Sequence, residues 1–220
     1  MLCKWPAPAG YNKGRTGARR GSLTGKLVVG ITGASGAIYA VRFLQHASRY
    51  FSQLLVIASE HALSVARAEL GTEVDAHTLC PQSLLGAEYP NIVFLNPKDY
   101  FTPPASGSFR HDGMVIIPCS MGTAGRIAHG VSDDLIARAA DVCLKERRKL
   151  ILVVRETPLN LIHLRTLTTL TEAGAVVLPA APAFYHRPQS VEELVDTVVA
   201  RVLQQLGVEQ QIVSQWQVEE

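Results

Sequence analysis

Residues 26–44 read KLVVGITGASGAIYAVRFL. An apolar run ends in a glycine-rich turn, Gly33-Ala34-Ser35-Gly36, and a helical pattern starts at once. Glycines permit a tight turn and close backbone approach, and a new helix offers unpaired N–H groups and a favourable dipole to an anion. Ser35 adds a hydroxyl at the same place. The stretch predicts a strand–turn–helix that cradles a nucleotide or flavin phosphate. The spacing is not G-x-G-x-x-G and does not run on into G-K-[ST]. The acid nearest the ribose-binding distance, Glu60, follows a strand rather than ending one. A mononucleotide such as FMN fits this pattern better than NAD.

Outward from that turn, five further apolar runs follow: Leu54–Ala58, Ile92–Leu95, Met114–Ile117, Leu150–Val154 and Ala175–Leu178. They are short and rich in Val and Ile, as strands buried on both faces are. Helical patterns lie between most of them, at Ala37–Ser48, Glu60–Leu70, Ser132–Arg147 and Pro158–Glu172, with a last one at Ser190–Leu206. Ser190 and Glu193 have capping-box spacing. The alternation predicts an α/β, Rossmann-like three-layer sandwich with a mostly parallel sheet. Ligands of such sheets bind beyond the carboxyl ends of the strands.

The chain has 220 residues, 47% hydrophobic and 18% charged, with a formal net charge of +2. That suffices for one core, and the sparse charge points to oligomerisation. Basic residues form no stripe with aromatics, which argues against nucleic acid. No apolar run approaches the ~18 residues of a membrane span. Cys3, Cys80, Cys119 and Cys143 show no C-x-x-C spacing, so free thiols and a cytoplasmic, reducing setting are expected. Residues 1–25 carry Lys4, Lys13, Arg15, Arg19 and Arg20 without an acid and read as a flexible basic extension. Their glycines and prolines weigh against a mitochondrial presequence. Residues 26–208 form the expected domain, and 209–220 a tail.

The turns after the strands carry the reactive side chains. Ser59 follows the second run. Ser120, Met121, Gly122 and Thr123 make a second small-residue turn, able to hold a flavin's ring edge or phosphate. Arg155 and Glu156 follow a buried strand, where an arginine clamps phosphate and a glutamate moves a proton or pairs with its neighbour. Arg138, Asp141 and Lys145 fall on one helix face. The run 146–149 reads as ordinary helix-end surface. Tyr185 and His186 lie in the last post-strand loop. The seven histidines form no H-x-x-x-H pair, and G-x-S-x-G does not occur, so neither a metal centre nor a serine hydrolase is expected.

Taken together, GITGASGAIYAVR, PPASGSFR, PCSMGT, LIARAADVCLKERR, VVRETP and APAFYHRPQSVEELVD closely resemble the UbiX family of flavin prenyltransferases. The resemblance implies joining the prenyl group of dimethylallyl phosphate to N5 and C6 of reduced FMN, with phosphate released and no metal. The product goes to UbiD-type decarboxylases, and the assembly is a dodecamer with sites near subunit interfaces. By motif, Gly33, Ala34, Ser35, Ser59, Ser120, Met121, Gly122, Thr123 and Arg155 resemble flavin-binding positions. Lys145, Arg155, Tyr185 and Arg201 resemble the substrate-phosphate cluster, with Arg138 nearby. Glu156 resembles a proton-handling residue, and Glu69 the acid that assists ring closure. Ser106 belongs to the loop resembling the prenyl-site wall, and Tyr100 stands where bacterial relatives can carry Trp.

Two other classes stand beside this one. A flavin-dependent cysteine decarboxylase carries a P-A-S-A-N-T type loop and a catalytic histidine, where this chain has PCSMGT. A non-catalytic flavin-binding subunit has no need of Glu69, Lys145, Arg155, Glu156, Tyr185 and Arg201 together.

Overall fold

The computed structural model describes residues 25–213, so nearly all of the basic extension and the end of the tail lie outside the described residues. The chain runs β1 Lys26–Ile31, α1 Ala37–Ala47, β2 Gln53–Ala58, α2 Glu60–Leu70, α3 Pro81–Leu85, β3 Ile92–Leu95, β4 Met114–Cys119, α4 Met121–Ala128, α5 Leu135–Lys145, β5 Leu150–Val154, α6 Leu161–Glu172, β6 Val176–Pro179 and α7 Val191–Gln205. The strand order is β3-β2-β1-β4-β5-β6, and every described ladder is parallel. The order reverses between β1 and β4. In sheets of this architecture ligands sit in the crevice beyond the strand ends at such a reversal.

Two apolar clusters cover the sheet. Leu27, Val29 and Ile31 of β1 pack with α1, α2, α3 and α7, while Val28 packs on the other face with α4 and α5. Both faces are buried, which is why β4 and β5 read as unbroken apolar runs. β6 is a sheet edge and is only partly covered.

Local chemistry moves several expected boundaries. Asp134 caps α5 by accepting from Ala137 N–H at 2.7 Å, so that helix begins at Leu135 rather than near Ser132. Asn160 caps α6 through His163 N–H at 2.8 Å, so Pro158 lies ahead of it. Ser190 caps α7 through Glu193 N–H at 3.1 Å, but the Glu193 carboxylate accepts from Gln189 N–H rather than completing the box on Ser190. The PCSMGT turn is the start of a helix. Two glycines mask α4, which is held by Met121, Ala124 and Ile127 packing at helical spacing.

A polar clamp fixes α7 on α1. Arg42 forks onto Asp196 through Nε at 2.8 Å and through a second short contact, and His46 Nε2 lies 3.3 Å from the same carboxylate. Burial opposes the charge on Asp196, but Arg42 and His46 more than offset it and hold the carboxyl below its ordinary range. Asp196→Asn is expected to cost about 2–3 kcal/mol of stability at neutral pH, because it leaves a half-buried guanidinium under-paired. The sign of the pH dependence follows from the lowered value. The Asp196 contribution is complete above about pH 4 and disappears as pH falls through the folded-state value. Denaturant melts of wild type and D196N should therefore converge in acid, and a gap that stays constant down to the lowest pH would contradict this assignment.

Candidate active site

The crevice is organised by one buried threonine. Pro118 has no N–H to give, and the β4–β5 pairing slips between Ile116 and Cys119. The Pro118 carbonyl accepts instead from Thr32 N–H at 3.3 Å and Thr32 Oγ1 at 2.8 Å. Thr32 Oγ1 then accepts from Ser120 N–H at 2.8 Å. The two glycine-containing loops on either side of the reversal are thereby locked together. Thr32 was not among the sequence-predicted residues, although its place between strand and glycine turn was the available signal.

Gly33 and Gly36 are required for different reasons. A side chain on Gly33 would meet His61 Cβ at 2.5 Å, so the turn packs directly against the first turn of α2. Gly36 has φ 101°, which other residues rarely adopt. Gly33→Ala should lower stability by about 1–3 kcal/mol through this overlap and weaken flavin binding in a fluorescence titration. An unchanged melting curve would contradict the packing argument.

Two donors at the α1 N-terminus are already engaged. Gly36 N–H and Ala37 N–H each donate to the Glu69 carboxylate at 2.8 Å. Burial opposes the Glu69 charge, but hydrogen bonds from the Ser35 hydroxyl, Ala37 and Gly36, with Arg155 nearby, hold its carboxyl below the usual range. The helix N-terminus read from the sequence as a phosphate cradle thus also carries the Glu69 carboxylate. Tyr39 is also at this corner, its phenol pushed up by burial while the Arg155 charge works the other way.

Ser59 and Ser120 cap α2 and α4, accepting from Ala62 N–H at 3.1 Å and Thr123 N–H at 3.3 Å. Arg155 follows β5, its N–H bonded to the Cys119 carbonyl at 3.1 Å. Glu156 is exposed and accepts from Thr157 N–H at 3.1 Å. Burial pushes the Cys119 thiol up to about 12, so it stays protonated and is no nucleophile. Gly33, Ala34, Ser35, Ser59, Glu69, Ser120, Met121, Gly122, Thr123, Arg155 and Glu156 therefore share one end of the sheet.

The remaining sequence-predicted residues form two other groups. Tyr100 donates to the Ser132 carbonyl at 3.1 Å, and Arg138 Nε to the Ala105 carbonyl at 3.1 Å while pairing with Asp141 at 2.9 Å. Ser106 Oγ lies 2.9 Å from Ser108 Oγ, and Lys145 pairs with Glu146 beside Gly107. Arg148, read from sequence as ordinary surface, holds this loop by donating to the carbonyls of Phe109 at 2.6 Å and Gly107 at 2.5 Å. Tyr185 and Arg201 line a cleft of about 910 Å³ between β6 and α7. Thr197 Oγ1 steadies its loop by accepting from Ala183 N–H at 3.0 Å. Lys145 ends α5, roughly 15 Å of helix from its start near the crevice, and α5 and α7 pack on opposite faces of the sheet. One copy of the chain does not gather Lys145 and Arg201 into one cluster.

A flavin fits the polar set of the crevice: hydroxyl groups at Ser35, Ser59 and Ser120 for polar ring edges, and a guanidinium, Arg155, for an anion. Among the described residues no three His, Cys, Asp or Glu side chains converge as metal ligands, and no helix is long and apolar enough to cross a membrane.

Comparison with known proteins agrees with this fold. The flavoprotein family model matches residues 18–203. The flavin prenyltransferase UbiX of Halalkalibacterium halodurans is 43% identical over 87% of this chain and 93% of its own. A UbiX crystal structure in complex with FMN and dimethylallyl pyrophosphate superposes with a TM-score of 0.78 at 40% identity, covering 89% of this chain and 98% of that one. A dodecameric FMN-dependent UbiX-like decarboxylase from Escherichia coli O157:H7 gives 0.77 at 41% identity, covering 87% and 99%. An FMN-dependent cysteine decarboxylase is alike in fold alone, at 18% identity and a TM-score of 0.55.

Proposed function

We propose the following reaction for this chain, which belongs to the UbiX family of flavin prenyltransferases: it joins the dimethylallyl group of dimethylallyl phosphate to N5 and C6 of reduced FMN and releases phosphate. The observation that carries the reading is the crevice at the strand-order reversal, where hydroxyls, one guanidinium and two carboxylates meet, in a chain 43% identical to a flavin prenyltransferase. The cysteine-decarboxylase alternative rests on likeness of fold alone.

The bound flavin supplies the nucleophilic ring atoms. The chain supplies position and charge. Ser35, Ser59 and Ser120 would hold the flavin's polar edges. Arg155 would stabilise charge developing on the departing phosphate, with Tyr185, Arg201 and Lys145 completing that cluster. Glu156 would handle a proton at the phosphate, and Glu69, held on the α1 N-terminus beside Ser35, would serve ring closure. Because Lys145 and Arg201 lie on opposite faces of one copy, the cluster is proposed to close between copies in a dodecamer. The dodecameric relative supports this. So do the apolar side chains exposed on α6 and its neighbouring loops, among them Leu161, Ile162 and Phe184.

The proposed recipient is a UbiD-type decarboxylase, and the proposed location is the cytoplasm, consistent with the free thiols of Cys80, Cys119 and Cys143. The low-molecular-weight product of an anaerobic reaction should restore activity to a UbiD-type apoenzyme, and it should do so better with the monophosphate donor than with the pyrophosphate. Restoration by FMN alone would remove the need for prenyl transfer.

A further inference from the structure

Tyr39 stands in the first turn of α1, just after the Gly36 cap. Its ring lies on that glycine: a Cβ at Gly36 would meet Tyr39 Cδ2 at 2.7 Å and Cε2 at 3.0 Å. Long side chains on a helix lean toward its N-terminus, so the phenol points past Gly36 toward the crevice. Tyr39 is 9% exposed and packs in the apolar cluster on that face of the sheet. Its oxygen is nevertheless open. Among the described residues, the sealed polar side-chain atoms without a partner are Thr72 Oγ1 and His163 Nδ1.

Among the described residues, neither the Tyr39 phenol nor the Arg155 guanidinium has a hydrogen-bond partner. Arg155 is close enough for its charge to act on the phenol, and burial keeps the phenol protonated. The Glu69 charge at the same corner is already met by Gly36 N–H, Ala37 N–H and the Ser35 hydroxyl. The corner therefore holds an uncommitted donor and an uncommitted cation. A protonated phenol has one proton to give, and a guanidinium can only donate. A ligand that satisfies both must offer negatively charged acceptor oxygens, and a phosphate monoester does.

We propose that Tyr39 is a further ligand-binding residue, whose phenol donates to an oxygen of the phosphate monoester that Arg155 neutralises. The inference rests on the reading of Arg155 as a phosphate contact. It places two partners of that phosphate in one copy of the chain, whereas Lys145 and Arg201 lie apart. The prenyl donor and FMN both carry such a phosphate, and the test tells them apart.

Tyr39→Phe in the full-length protein keeps the ring on Gly36 and removes one hydroxyl. It should melt like wild type, because that hydroxyl has no partner among the described residues to lose. For dimethylallyl phosphate, kcat/KM should fall about 10-fold, with binding of FMN and of riboflavin unchanged in flavin fluorescence titrations. A loss of about 10-fold in FMN affinity, with riboflavin binding unchanged, also supports the contact and moves it to the flavin's phosphate. Equal losses for FMN and riboflavin, a lowered melt, or no change in kcat/KM or in either affinity overturns it. Arg155→Met separates this inference from the reading beneath it. A defect in R155M with none in Y39F overturns the Tyr39 contact alone. Wild-type donor kinetics and FMN affinity in R155M overturn the phosphate reading of Arg155 and the Tyr39 contact with it.

Discussion

Glu156→Gln is expected to leave FMN affinity within about twofold of wild type and to lower prenyl transfer by roughly 10²–10³-fold. The substitution is close to a pure removal of an ionisable proton. Glu156 is exposed and accepts a hydrogen bond from Thr157 N–H. A glutamine carbonyl oxygen can accept the same bond, so the backbone after β5 has no reason to move. Glutamine is also the same size, and no packed neighbour is disturbed. What it cannot do is give or take a proton at the substrate phosphate. The effect should appear in kcat rather than in KM, since phosphate binding itself falls to the neighbouring cations. Turnover at the wild-type level would remove Glu156 from the chemistry.

Arg155→Met is expected to lower kcat/KM for the prenyl donor by roughly 10²-fold or more. The backbone bond from residue 155 to the Cys119 carbonyl survives, and the methionine stem fills much of the same volume. The guanidinium is lost from the crevice, together with its field at Glu69 and Tyr39. The Glu69 carboxyl should then lose part of its depression. Arg155→Lys restores a charge but not a planar fork, and should recover activity only in part. Steady-state kinetics with varied donor, checked against an FMN titration, separate loss of phosphate stabilisation from loss of flavin. A kcat/KM within about twofold of wild type in R155M would contradict the assignment.

The architecture was legible because its signals are local. KLVVGITGASGAIYAVRFL contains strand, turn and helix in order, and continuous Val and Ile runs such as Leu150–Val154 occur where both faces are covered. The α4 helix was hidden by Gly122 and Gly125, whose low helix propensity is overridden by packing of Met121, Ala124 and Ile127. Helix starts at Leu135 and Leu161 were displaced because Asp134 and Asn160, rather than the residues ahead of them, make the capping bonds.

The loops after β1, β2, β4 and β5 stand at one end of a parallel sheet, as the strand–helix alternation implies; the geometry within them was less legible. That Glu69, at the far end of α2, would reach back to cap α1 depends on how two helices pack, which no local pattern encodes. The separation of Lys145 from Arg201 likewise follows from the alternation of helices between the two faces of the sheet. Thr32 was passed over because a lone buried threonine has no motif. Its role exists only in the bonds it makes.

The central claim is prenyl transfer to flavin, and the mass of the flavin tests it most directly. The purified protein would be incubated anaerobically with reduced FMN and dimethylallyl phosphate, the flavin extracted, and its mass measured alongside released phosphate. The account predicts a gain of C5H8 with one phosphate set free for each flavin changed. Unmodified FMN recovered from folded, flavin-loaded protein would contradict it.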